Sequence, residues 1–214
     1  SVQYIMEEFV NGEVRTYDAI IDSKGEPIFE AGNVTPFSLM DVVNNQDNSV
    51  YYIVKELKDD VRKAGRATVK SFGVKSRFVH FEFFRLLSDH EGLGKKGDIM
   101  ALEVNMRPCG GYTPDMYNYA YETDVYKIWA DMIAFDSSMK PLGNRHYCAF
   151  YGRRDGKAYK YDDYEIMSKY GHKMVMWGRI PDALSGAMAN QMYVANFDTE
   201  EEMMAYYEDL AALH

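Results

Sequence analysis

The stretch that most constrains this chain lies between Arg77 and Pro114. It holds two extended segments, residues 78–84 (FVHFEFF) and 99–108 (IMALEVNMRP), joined by a polar, glycine-rich loop. In the second segment Met100, Leu102 and Val104 alternate with Ala101, Glu103, Asn105 and Arg107. A strand sends alternate side chains to opposite faces. One face is therefore apolar, and the other carries a carboxylate, an amide and a guanidinium in a row. In the first segment Glu82 stands on the same face as Phe78, His80 and Phe84. A carboxylate in so apolar a strand is unfavourable unless it is paired or bound to a metal. Paired as a hairpin, the two segments bring Glu82 beside Glu103 and Asn105. Three oxygen ligands with an arginine next to them suit Mg²⁺ carrying phosphate. The plainer alternative is a solvated hairpin face with a Glu103–Arg107 ion pair, which is weak at a surface. That alternative gives no role to the apolar setting of Glu82 or to the amide of Asn105.

The series Phe81-Glu82-Phe83, then Glu103-Val104-Asn105-Met106-Arg107-Pro108, then Gly110-Gly111, resembles the metal-binding core of the ATP-grasp carboxylate ligases. That superfamily includes biotin carboxylase, carbamoyl-phosphate synthase and D-alanine–D-alanine ligase. The resemblance implies an α+β fold. Residues 1–138 are expected to form the C-terminal half of an ATP-grasp domain, an antiparallel sheet with packed helices, and residues 139–214 a small α+β C-terminal subdomain. ATP and Mg²⁺ (or Mn²⁺) are the implied cofactors. Glu82, Glu103 and Asn105 are implied as metal ligands, and Arg107 as the catalytic residue at the transferred phosphoryl group. Gly110 and Gly111 are implied as a substrate-binding loop, and Phe84 as the side chain under the adenine. The run Met6-Glu7-Glu8-Phe9-Val10 resembles the strand that links the two lobes of these enzymes. Glu7, Glu8, Phe9 and Val10 are thereby implied to read the adenine, and either Glu13 or Val14 to reach the ribose. Cys109 is given no role by the resemblance, and no histidine stands beside it in sequence.

The family activates a carboxylate as an acyl phosphate, which an amine or other nucleophile then attacks. Its chemistry is mostly positioning and charge stabilisation. The implied partners are a small-molecule carboxylate, a nucleophile and a missing N-terminal lobe of the same protein, with a homodimer possible at an exposed sheet edge. These residues contain no counterpart of the glycine-rich phosphate loop and lysines of the upstream lobe, so this stretch alone is expected to bind nucleotide weakly and to turn over little. Alternatives are an ATP-grasp kinase using the same metal site, or a non-catalytic nucleotide-binding or interaction module.

A chain of 214 residues with a net charge of −9 can bury a sizeable core, and its charge argues against nucleic acid as a partner. Two cysteines, Cys109 and Cys148, with no C-x-x-C spacing argue against a disulfide framework or a zinc site and fit a reducing cytoplasm. No apolar run has the length of a membrane span. The chain reads as starting inside a domain, because residues 2–10 already have a strand pattern, closed by a turn signal at Asn11-Gly12. Strands at 15–22 and 27–31 complete an expected three-strand meander. Residues 32–49 read as a polar connection. A helix is expected over 57–72, with Val61, Ala64, Ala67 or Thr68, and Phe72 buried. Gly92-Leu93-Gly94-Lys95-Lys96-Gly97 matches G-x-G-x-x-G but precedes a strand, which excludes the dinucleotide reading. Further helices are expected from Thr113, its cap, and from Thr123-Asp124. Strands are expected at 146–151, 157–161, 173–178 and 191–196, with a small flexible loop at 181–190. A final helix follows a Thr199/Glu202 capping box, with Met203, Met204, Tyr207 and Leu210 or Ala211 inward.

Overall fold

The sheet is laid out around β1 (Gly12–Ile21), whose sequence GEVRTYDAII alternates between two environments. The computed structural model describes residues 3, 4, 6–36 and 39–214, the side chains of 39–41 excepted. On one face of β1, Tyr17, Ala19 and Ile21 enter an apolar cluster; on the other, Ile20 enters a second cluster. Thr16 and Asp18 share the face of Ile20 and are buried. β1 runs antiparallel to β5 (Arg77–Leu86) along its whole length, from Gly12↔Leu86 to Ile21↔Arg77. β2 (Pro27–Ala31) folds back on β1 through a turn in which Gly25 has φ +90°. β3 (Asn33–Thr35) and β4 (Ser49–Ile53) continue outward from β1. On the far side of β5 lies β6 (Ile99–Asn105).

β7 (Tyr147–Arg153) pairs with β4, β9 (Gln191–Phe197) pairs with β7, and β8 (Met174–Arg179) closes that edge. Among the described residues the strands form one sheet in the order β6-β5-β1-β3-β4-β7-β9-β8, with β2 beside β1. Every pairing is antiparallel, and the sheet runs without interruption past residues 138/139. This is an α+β fold.

Helices cover both faces. On one, α2 (Asp59–Ser71) packs through Val61 and Val69 on Tyr17, Val79 and Phe81. α5 (Asp163–Tyr170) and α7 (Glu200–Ala211) cover the same face over β4, β7 and β9. On the other, α3 (Thr113–Tyr121) and α4 (Val125–Phe135) pack on Phe29, Ile53, Phe78 and Phe150. Asp124 caps α4 by accepting from the Lys127 N–H at 2.9 Å. Two shorter helices, α1 (Leu39–Asn44) and α6 (Asp182–Met188), lie near one another. Among the described residues no helix is long and apolar enough to cross a membrane.

Several sequence expectations are corrected. The described part of the expected first strand, residues 3, 4 and 6–10, is not in a strand, and its remainder lies outside the described residues. The ladder stops because β5 ends at Leu86; the last bond is Leu87 N–H to the Asn11 carbonyl at 3.0 Å. The meander is therefore a β1–β2 hairpin. Gly12 is not a turn residue but the first residue of β1, where a Cβ would lie 2.7 Å from Phe84 Cβ. The expected connection at 32–49 contains β3 and α1. In α2 the buried positions are Val61, Gly65 and Val69, while Phe72 is exposed, because Gly65 gives its space to the Tyr17 ring. Thr113 is the first residue of α3 rather than its cap, Tyr112 taking that place. Residues 157–161 form no strand with β7; Tyr159 bridges to Leu213. The expected loop at 181–190 contains α6. In α7 Tyr206 is buried and Met204 exposed.

Candidate functional site

Two rungs of side chains cross the β1–β5–β6 ladder on the face opposite α2. The first joins Asp18, His80 and Asn105; the second joins Thr16, Glu82 and Glu103. Strand alternation puts His80 and Glu82 on one face, and the antiparallel register brings their partners to the same face. Immediately beyond Glu82 the register shifts, so that Phe83 opposes Ala101 and Leu102 is the extra residue of a bulge. The bulge moves Met100 to the face of Phe84, so the apolar contacts of β6 with the α2 side come from Ile99 and Val104. The strict Met100/Leu102/Val104 alternation expected from sequence is thereby corrected.

The rungs are linked by hydrogen bonds. The Asn33 N–H donates to Thr16 Oγ1 at 2.9 Å, and Thr16 Oγ1 donates to Asp18 Oδ2 at 2.5 Å. His80 Nδ1 lies 2.8 Å from Asp18 Oδ1, and His80 Nε2 lies 3.0 Å from Glu82 Oε1. Asp18 is fully buried and His80 nearly so. Burial alone would disfavour the imidazolium, but the Asp18 carboxylate, with hydrogen bonds to Cys109 and Glu82, outweighs it and holds the His80 pKa well above its ordinary value. Each ring nitrogen of His80 thus faces a carboxylate oxygen. Cys109 Sγ lies 3.7 Å from His80 Nε2. The Tyr117 hydroxyl is wholly buried without a hydrogen-bond partner; burial, then the nearby Asp18 and Cys109, push its pKa up.

A cleft of about 420 Å³ opens on this network. Thr16, His80 and Glu82 form its floor, Arg107 to Gly111 one wall, and Ala183 to Met188 of α6 another. Gly111 has φ +60°, and a Cβ there would stand 3.0 Å from Met188 Sδ, so the loop and α6 approach as closely as glycine allows. Arg154 anchors α6. Its buried guanidinium donates to the carbonyls of Asp47 at 3.0 Å, Ser185 at 2.5 Å and Gly186 at 2.7 Å.

Glu82, Glu103 and Asn105 are brought together on one strand face, and of the three Glu82 lines the cleft, with Arg107, Gly110 and Gly111. Arg107 is exposed and donates to the Pro108 carbonyl at 2.9 Å. Phe84 lies on the Glu82 face, against Gly12 and opposite Val14, and Val14 lines the cleft. Glu13 points to the opposite face of β1 and is tied to Arg15. Glu7, Glu8 and Phe9 are exposed, Val10 is half-buried, and none of the four lines the cleft. Sequence reasoning did not assign Thr16, Asp18 or His80. The available signals were T-x-D in β1 and H-x-E in β5, each placing two polar side chains on one strand face.

No family model and no curated protein sequence matches the chain. Solved structures do. Phosphoribosylglycinamide synthetase from Anaerococcus prevotii matches with a TM-score of 0.61 at 13% identity, over 94% of this chain and 52% of that one. The phosphoribosylaminoimidazole carboxylase ATPase subunit from Aquifex aeolicus matches with a TM-score of 0.62 at 15% identity, over 96% and 60%. The biotin carboxylase domain of 2-oxoglutarate carboxylase from Hydrogenobacter thermophilus, crystallised with MgADP and bicarbonate, matches with a TM-score of 0.57 at 12% identity, over 94% and 45%. At these identities the likeness is one of fold, and the chain spans about half the length of the structures it matches.

Proposed function

From the fold of the C-terminal part of an ATP-grasp ligase, we propose that this chain is the metal- and phosphate-binding half of an ATP-dependent ligase. In that ligase a carboxylate is activated as an acyl phosphate for attack by an amine or another nucleophile. One observation carries the reading: Glu82 and Glu103 oppose each other across β5–β6 with Asn105 one rung away, on the cleft face. The donor set fits a hard divalent cation, which takes carboxylate and amide oxygens. Glu82 gives one oxygen to His80 and keeps the other free for a cation. The Asn105 amide has a buried end without a hydrogen-bond partner. Because amide oxygen and nitrogen are interchangeable by a flip, that end suits a ligand oxygen.

Glu82, Glu103 and Asn105 would hold Mg²⁺, which would supply charge neutralisation to nucleotide phosphates. His80 fixes the Glu82 carboxylate in its rotamer, and Asp18 fixes His80. Arg107 offers a planar fork of donors to phosphoryl or acyl-phosphate oxygens. The Gly110–Gly111 backbone offers N–H groups to the substrate, and α6 with Gly111 narrows the cleft against water. In this reading the backbone of residues 7–10 and the ring of Phe84 meet the adenine. Glu13 is left out, because its carboxylate is turned away and paired with Arg15. The complement to this half is an upstream lobe, so the chain alone binds nucleotide weakly.

Calorimetric titration with ATP in the presence of Mg²⁺ tests the reading. The expected result is weak Mg²⁺-dependent binding that the Glu103→Ala, Asn105→Ala double variant loses. Absence of binding both in this chain and in a longer protein that includes an upstream lobe would sink it.

A further inference from the structure

We infer that His80, Cys109 and Glu82 form a second cation site, selective for a thiophilic divalent ion such as Zn²⁺, with Asp18 as the group that orients the histidine. The inference does not rest on the ATP–Mg²⁺ reading, and its test separates the two.

Among the described residues, Asp18, His80 and Cys109 bring potential ligand atoms to within 4.8 Å of one another. The wholly buried Asp18 faces Nδ1 of His80 at 2.8 Å, which leaves Nε2 as the ligating nitrogen. A carboxylate on the far nitrogen of a ligating histidine is the usual outer-shell arrangement, fixing tautomer and ring orientation. Nε2 is met by two further ligand atoms, Glu82 Oε1 at 3.0 Å and Cys109 Sγ at 3.7 Å. Zinc bonds of about 2.1 Å to nitrogen and about 2.3 Å to sulfur, at a tetrahedral angle, separate those two atoms by about 3.6 Å. The Nε2–Sγ distance therefore needs almost no adjustment, and the Nε2–Oε1 distance of 3.0 Å has to open by a few tenths of an ångström. The buried Tyr117 hydroxyl, near Asp18 and Cys109, lacks a partner of its own.

One nitrogen, one sulfur and one oxygen ligand leave a fourth position open to the cleft. That is the ligand count of a catalytic rather than a structural zinc site. The thiolate favours Zn²⁺ over Mg²⁺. Binding replaces the Nε2 proton shared with Glu82 and the Cys109 thiol proton, and both leave to solvent. The second oxygen of Glu82 belongs to a side chain on the strand face it shares with Glu103 and Asn105. One carboxylate can thus border two cations of different character, each on its own oxygen.

Cobalt(II) is the probe, because a thiolate ligand gives it a near-ultraviolet charge-transfer band and four-coordination gives strong visible bands. We expect the chain to take up one Co²⁺ with both signatures, displaced by an equivalent of Zn²⁺ and not by excess Mg²⁺. Cys109→Ser should lose the charge-transfer band and weaken cobalt binding at least about tenfold. Cys109→His should keep the visible bands without the charge-transfer band, so loss of signal cannot be read as misfolding. The Glu103→Ala, Asn105→Ala variant should bind Co²⁺ as the parent does. A missing charge-transfer band in the parent, or one that survives Cys109→Ser and so belongs to Cys148, overturns the assignment. So does its loss in the Glu103/Asn105 variant.

Discussion

Glu82 and Glu103 are direct partners across the β5–β6 ladder, two carboxylates opposed on one face with the register shift immediately after them. Like charges directly opposite weaken a ladder, and pairs of this kind are worth about 0.2–1 kcal/mol. Glu103→Gln should therefore raise the urea midpoint in cation-free buffer, by a shift that corresponds to an unfolding free energy in that range. The same substitution should remove the stabilisation that Mg²⁺ with ATP gives the parent, which follows from binding linkage. Urea unfolding of both proteins, with and without Mg²⁺–ATP, checks the pair of effects. A lowered midpoint in cation-free buffer would contradict the charge opposition.

Gly65 stands at the centre of α2, where alanine normally favours a helix by about 1 kcal/mol. Here a Cβ would fall 2.1 Å from Cγ of Tyr17. That ring is fully buried and stacked on Phe81 at 6.2 Å between centroids, so it has nowhere to go. Gly65→Ala should destabilise the fold by about 1–3 kcal/mol, the range for overpacked cores. The propensity gain is overridden. A thermal midpoint equal to or above that of the parent would show that α2 can lift from the sheet freely.

Much of the site was legible because it rests on a period of two. Alternation in FVHFEFF and IMALEVN fixes which side chains share a face, and pairing the two as a hairpin joins Glu82 to Glu103 and Asn105. The bulge at Leu102 was not legible, since an extra residue leaves no mark on a pattern of apolar and polar letters. The N-terminal segment misled for a related reason. Tyr4, Met6 and Phe9 have strand-forming side chains, yet they are 91%, 96% and 87% exposed. Whether they pair depends on where β5 stops, which is not encoded locally.

The offset of the α2 stripe has the same origin, because hydrophobicity cannot single out a glycine that is buried by a neighbour's ring. The small residues of DALSGAM predict a loop, but Arg154, 31 residues away, donates into the helix they form. Cys109 and His80 stand 29 residues apart in sequence, and only the β5–β6 hairpin with its following loop brings them together. Local propensity therefore gave the strands, while tertiary contact decided the cleft wall and the sulfur.

Glu30 links the sheet to α2. Its carboxylate accepts from the buried Tyr17 hydroxyl at 2.8 Å and from Arg66 at 2.8 and 2.6 Å. Burial opposes its ionisation, but the Arg66 and Tyr17 hydrogen bonds and the nearby arginines outweigh it, so its pKa lies below the ordinary 4.5. A carboxylate depressed in the folded state adds stability that is complete above the unfolded pKa and is lost as pH falls through the folded value. Stability should therefore decline on acidification from about pH 5 downward, and Glu30→Gln should flatten that decline. Because Arg66 is half exposed, solvent screening keeps the effect modest. Urea midpoints between pH 3 and 7 for both proteins check the slope, and parallel curves would remove Glu30 from the account.

Arg154 is buried with three carbonyl partners, two of them in α6. Hydrogen bonds from a charged donor are worth about 1.5–3 kcal/mol each, and stranded buried acceptors add their own penalty. Arg154→Met keeps most of the apolar stem but frees Asp47, Ser185 and Gly186 from their donor. The expected loss is about 3 kcal/mol, expressed first as faster amide exchange in α6 and only then in global unfolding. Arg154→Lys should recover little, since one ammonium on a flexible stem cannot reproduce the planar fork. Because Ala183, Leu184, Ala187 and Met188 line the cleft, opening α6 should also weaken any ligand held there. Hydrogen exchange resolved by peptide checks the order of events. Unchanged protection in α6 with a lowered global midpoint would mean that Arg154 secures the Asp47 loop instead.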